Sequence, residues 1–311
     1  MSTTSNPAAG KRPASDGQAR ATLSRIAVGV DGYPEGRDAV ALGQAIAQAI
    51  GADLLLVSVH TDPLIVVPVE LSWKALEEQA QKMLWRVRDE LAPGARVDVE
   101  TDLFIPRALE RVVRREHRDL LVLGSSRRGD EGRVRIGKRT RQLLTECECA
   151  IAIAPRGMHG EPEHRFARIG VGYDGGPEAQ AALELGATIA AAAGAELHVR
   201  AVVDDRIPAL VWATIAGGAV SAVWHDVVRD EADALRAKVA NAARATAEAV
   251  ETDVQLGRPA DALLELSENV DLLLIGSRRW GPVARVLLGA TGEALVHDAS
   301  CPVLVVPRPK R

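Results

Sequence analysis

Apolar and polar positions follow two periods along this chain, and the periods take turns. Ile26 to Val30 is an unbroken apolar run that stops at Asp31-Gly32, a turn signal. Pro34 stands where a helix can begin, because the N–H it lacks would be unpaired there. Ala39, Leu42, Ile46 and Ile50 follow at helical spacing, and Gly51 reads as a left-handed cap. Leu54 to Val59 is a second strand. A long helix then carries the stripe Leu76, Ala80, Met83, Val87, Leu91. Arg96 to Val99 is a third strand, and a short helix starts after Pro106. The run LLVLG ends a fourth strand at Gly124. A glycine-containing loop, a last helix and the strand AIAIAP complete the series.

The series is then repeated. The segment from Arg25 and the segment from Arg168 align without a gap and are identical at 17 of 30 positions. The second copy has strands at Ile169–Tyr173, Leu197–Val203, around 252–256, at LLLIG ending on Gly276, and at PVLVVP. Its helices begin at Pro177 and after Pro259, with Gly194 as a cap and a stripe of Val228, Ala232, Leu235, Val239 and Ala242. Alternating strands and helices predict an α/β fold, and the continuous apolar runs predict parallel strands covered on both faces. The chain therefore reads as two tandem Rossmann-like domains, each a five-stranded parallel sheet with helices on both faces. The expected limits are a disordered tail at 1–22, a first domain at 23–156, a polar Gly/Pro-containing linker at 157–165 and a second domain at 166–308.

Composition narrows the function classes. The 311 residues carry a net charge of −4, which disfavours a general nucleic-acid binder. Three cysteines, Cys147, Cys149 and Cys301, are too few for a disulfide framework and suit a cytoplasmic protein. Cys147-x-Cys149 lacks the further ligands of a tetrahedral metal site. The tail has no apolar core for a signal peptide or anchor. The uncharged stretch 207–224 is near the length of a membrane span, but Pro208, Gly217 and Gly218 break it; it reads as a buried or partner-facing connection.

In doubly wound sheets, ligands bind beyond the carboxyl ends of the strands. Three features recur there. Asp31 and Asp174 close the first strands; each could accept from a ribose hydroxyl or an amine, or simply start a turn. The loops Gly124–Thr140 and Gly276–Gly292 lead into helix starts, whose free N–H groups attract phosphate. The first loop is also basic: Arg127, Arg128, Arg133, Arg135, Lys138, Arg139 and Arg141 stand against Asp130 and Glu131. Such a cluster suits phosphate, or it is a solvated face paired with nearby acids.

VGVDG and VGYDG at the first strands, the glycine loops after the fourth, and the ending DASCPVLVVP together resemble the universal stress protein family, here as a tandem. The first copy has the weaker ending, with Ala150 where the second has Pro302. The resemblance implies adenine nucleotide (ATP or AMP, with or without Mg) as ligand and a non-catalytic stress-response role. It implies adenosine contacts at Asp31 and Val59 in the first half, and at Asp174 and Val202 in the second. The family's phosphate motif is Gly, two residues, Gly, nine residues, Gly, then Ser or Thr. It falls on Gly124, Arg127, Gly137 and Lys138, and on Gly276, Arg279, Gly289 and Ala290, with Thr291 one place late. Both copies thus lack the second glycine and the hydroxyl. An Arg at the second glycine position either fills the space where backbone should approach phosphate or turns its guanidinium onto that phosphate. The second copy is the preferred site. The family also pairs through fifth strands, so AIAIAP and PVLVVP would mate within the chain, leaving residues 207–224 for a homodimer or an unidentified protein partner.

Three alternatives stand beside this reading. Gly170, Gly172 and Gly175, with Glu196 further on, match a dinucleotide fingerprint, but the match lies inside a strand instead of after it. A nucleotide-cleaving enzyme lacks support: there is neither a GxxxxGK[ST] loop nor a His-x-Gly-His signature, and His117, His198, His225 and His297 read as surface or packing residues. The third alternative is a nucleotide-free interaction module whose degenerate loops no longer bind ATP.

Overall fold

A computed structural model of the chain describes residues 23–60, 72–160, 164–206, 219–247, 250–279 and 286–307. The tail at 1–22 and most of the uncharged stretch 207–224 lie outside them.

The first half runs β1 (Arg25–Gly29), α1 (Pro34–Ile50), β2 (Asp53–His60), α2 (Ser72–Leu91), β3 (Arg96–Thr101), α3 (Ile105–Arg115), β4 (Leu120–Gly124), α4 (Lys138–Glu146) and β5 (Ala150–Ala154). The second runs β6 (Arg168–Tyr173), α5 (Pro177–Ala193), β7 (Glu196–Val203), α6 (Ala219–Thr246), β8 (Val250–Leu256), α7 (Pro259–Ser267), β9 (Leu272–Gly276), β10 (Arg278–Arg279), β11 (Val286–Leu287), α8 (Ala290–Asp298) and β12 (Val303–Val306). Pro34 and Pro177 open α1 and α5, and Gly51 and Gly194 close them at φ of 70° and 66°. That left-handed geometry is one a side chain would resist.

Ten strands form one sheet in the order β3-β2-β1-β4-β5-β12-β9-β6-β7-β8. Pairing is parallel within each half and antiparallel at the join, where Ile153 faces Val303 and Ile151 faces Val305. The period-two alternation sorts apolar side chains between two faces. Ile26, Val28, Leu54, Leu56, Leu120 and Val122 pack under α1 and α2 with their second-half counterparts. Ala27, Leu55, Val57, Leu121, Leu123, Ile151 and Ile153 pack under α3, α4, α7 and α8. Each core runs through both halves, so the apolar surface of one half is completed by the other.

Two features depart from the sequence reading. β10 and β11 form a separate antiparallel pair inside the second glycine loop. Two-residue strands carry no period for the sequence to show. The linker is also more ordered at its start than its polarity suggests. Met158–Gly160 is a 3-10 turn with Met158 buried, tied to α1 where the Asp38 carboxylate accepts from the Gly157 and His159 N–H groups at 3.0 and 2.8 Å. Among the described residues, no helix is long and apolar enough to cross a membrane.

Candidate functional site

The strand order reverses direction between β1 and β4, and a recess of about 130 Å³ opens at the carboxyl ends of these strands in the first half. Its apolar walls are Val57 and Val59 from β2, Ile105 and Leu109 from α3, and Leu123 and Leu143. Its polar rim is Asp31, Glu35, Ser125, Arg139 and Thr140, with Gly124 at the end of β4. Three first-half residues singled out from sequence, Asp31, Val59 and Gly124, meet here. Gly137 lies beside them as the N-cap of α4, and nothing fills the space above it: a Cβ there would meet only Ser126 Cβ at 3.9 Å.

Asp31 is exposed at the mouth. Its Oδ1 accepts the Tyr33 N–H at 3.2 Å, and Asp174 Oδ1 accepts the Gly176 N–H at 2.8 Å. Both carboxylates therefore brace the strand-to-helix turn. Gly124 and Gly276 serve packing. A Cβ on Gly124 would overlap the Glu35 carbonyl oxygen, and one on Gly276 would lie 2.5 Å from the Glu178 carbonyl carbon. The first turns of α1 and α5 thus press directly on the ends of β4 and β9.

Arg127 is turned toward the start of α1. Its guanidinium lies over the Tyr33 ring, 3.6 Å from the centroid, and is not part of the recess wall. Other members of the basic cluster are used to dock the halves. Arg133 donates to the Asp298 carbonyl at 2.7 Å, at the negative end of α8. Arg141 pairs with Glu293 and lies 3.0 Å from the His297 Nε2. The loop backbone follows the same path: the Val134 and Ile136 N–H groups donate to the Ala299 and Val296 carbonyls. Arg156, just past β5, donates to the Gly129 carbonyl and approaches Glu35 Oε1 at 3.4 Å.

Sequence patterning did not single out Glu35, Thr140 or Ser125. Glu35 is 7% exposed and its Oε2 has no hydrogen-bond partner. Ser125 is fully engaged: its Oγ donates to the Ala154 carbonyl at 2.7 Å and accepts the Arg135 N–H at 3.0 Å. A Glu in a first helical turn reads as a dipole-complementing surface residue, so only the fold reveals that it is enclosed.

In the second half, Asp174 is exposed, Val202 half-buried in β7, Gly276 at the end of β9, Gly289 the N-cap of α8 and Thr291 half-buried in that helix. Arg279 belongs to β10, and the loop between β10 and β11 lies outside the described residues. The thiols offer no alternative centre. Cys149 and burial push Cys147 up, burial pushes Cys301 up, and no group of three metal-ligating side chains occurs among the described residues.

The universal stress protein family model matches residues 22–155 and again 165–307. A universal stress protein of Mycobacterium tuberculosis is 25% identical over 291 residues, covering 90% of this chain and 96% of that protein. One from Methanocaldococcus jannaschii is 31% identical over 88 residues, 28% of this chain and 52% of that protein. The crystal structure of a universal stress protein from Archaeoglobus fulgidus matches with a TM-score of 0.64 at 19% identity, covering 92% of this chain and 99% of that one. At that identity the likeness bears on the fold alone.

Proposed function

Because the chain belongs to the universal stress protein family and carries its domain twice, we propose that it is a non-catalytic adenine-nucleotide-binding module of the stress response, with a working site in the first half. The observation that carries this reading is the recess itself. It unites apolar walls for a base, the Asp31 carboxylate for a ribose, and a glycine-capped helix start for phosphate. Gly137 adds weight: no protein atom occupies the place of its missing side chain. A binding role suits these groups better than a catalytic one, since the Ser125 hydroxyl is committed as donor and as acceptor. Where a divalent ion accompanies the nucleotide, the phosphates would carry it.

The alternative, a nucleotide-free interaction module, draws its support from the loop 124–137, whose backbone and arginines bond to α8 of the other half. Titration calorimetry of the purified chain with AMP, ATP and Mg-ATP separates the two. Binding that Asp31→Ala weakens about tenfold or more, as expected for loss of a charged hydrogen bond, supports the first-half site. No heat and no thermal shift with any adenine nucleotide favours the interaction module. Absorbance at 260 nm in excess of the protein's own would report nucleotide carried through purification.

A further inference from the structure

Resting on that nucleotide reading, we propose that the first-half recess takes an adenine nucleoside monophosphate in preference to the triphosphate. Thr140 and Arg139 are its phosphate contacts, and Glu35 turns longer polyphosphates away.

The basic cluster looks generous in sequence, but three of its seven cations are committed in space. Arg133 and Arg141 hold the second half, and Arg127 is stacked on Tyr33. Arg139 is the cation of the cluster that lines the recess, and it has no partner among the described residues. Thr140 lines it too. The residue is only 8% exposed, and its hydroxyl bonds to nothing among the described residues. Both belong to the first turn of α4, where backbone N–H groups have no intrahelical acceptor. One helix start, one guanidinium and one hydroxyl match a single terminal phosphate. The hydroxyl missing beside Gly137, where Lys138 stands, is thus supplied from Thr140 in the same helical turn.

The opposite wall carries a carboxylate. Glu35 is enclosed: its Oε1 pairs with Arg156 Nε at 3.4 Å, its Oε2 has no hydrogen-bond partner, and its backbone fills the space beside Gly124. A chain of phosphates running along the glycine loop would approach that acidic wall with Arg127 turned elsewhere. Discrimination by an unfavourable charge set against the larger ligand is an ordinary route to specificity. The second copy has Thr291 and Gly292 where the first has Arg139 and Thr140, so substitutions at these two positions report on the first half alone.

The test is calorimetric titration of the full chain with adenosine, AMP and ATP, the last with and without Mg2+. Arg139→Gln, Thr140→Val and Glu35→Gln are compared with the parent, and circular dichroism and Tm serve as folding controls. AMP should bind about tenfold tighter than either adenosine or ATP. Arg139→Gln and Thr140→Val should each weaken AMP about tenfold and leave adenosine unchanged, while Glu35→Gln should narrow the AMP-to-ATP ratio. Equal binding of AMP and ATP, with neither first-turn variant affecting AMP, overturns the preference and leaves nucleotide binding standing. No binding of any adenine compound overturns both.

Discussion

At the scale of single residues, the two first-half glycines that look alike in the motif do different work. Gly124 is required by the protein, because a side chain would strike the backbone of α1 at Glu35. Gly137 is not, because its surroundings leave room for a Cβ. Gly124→Ala should therefore cost about 3 kcal/mol of stability through forced backbone displacement, read as a lower urea midpoint. Gly137→Ala should cost under about 1 kcal/mol, as an ordinary N-cap change, yet weaken nucleotide binding in the same titrations. A large stability loss at Gly137 would mean that its absent side chain serves folding. Sequence reveals that both positions matter but not this division of labour, since the neighbour of Gly124 lies 89 residues earlier in the chain. Glu35 and Thr140 were hidden for the same reason: neither occupies a motif position, and both gain meaning only from what encloses them.

At the scale of elements, strands and long helices are legible because each repeats a period over several turns or pleats. Ala39, Leu42 and Ile46 of α1 are all fully buried, as their spacing predicts. The β10–β11 pair and the 3-10 turn at Met158 are too short to show any period. Charge placement has its own element-scale consequence at β3, an edge strand. Asp98, Glu100 and Asp102 there and just beyond face Arg107, Arg111 and Arg115 on α3. The Arg107 side chain, the Phe104 N–H and the Arg111 side chain hold the Asp102 carboxyl well below the usual carboxylate range. The folded value lies below the unfolded one, so protonation favours unfolding. The contribution of this group is complete above the unfolded value of about 4 and is lost as the pH falls below it toward the folded value. Asp102→Asn should lower the urea midpoint at pH 7, and its difference from the parent should shrink on acidification. A difference that stays constant from pH 7 to pH 2 would show that the ladder contributes through packing instead of charge.

At the scale of the whole molecule, duplication has produced one sheet with a shared interior. β5 lies between β4 and β12, and β12 between β5 and β9, so neither fifth strand is an edge in the intact chain. Ile151, Ala152 and Ile153 of β5 are almost wholly buried beside Val303, Leu304 and Val305. Cutting the chain between the halves would leave an apolar strand with its ladder unpaired on one side, a surface that recruits another strand. It would also strip Arg133, Val134, Ile136 and Arg141 of their partners on α8. A polypeptide of residues 1–165 should therefore self-associate through β5, appearing in sedimentation as a dimer or larger species. Ile151→Lys in that fragment should shift it toward monomer by placing charge in the apolar strand that would pair. A stable monomer without the substitution would mean that α4 and the glycine loop cover the edge by themselves. In that case the contacts with α8 would serve to align the two halves, and each half would be complete without the other.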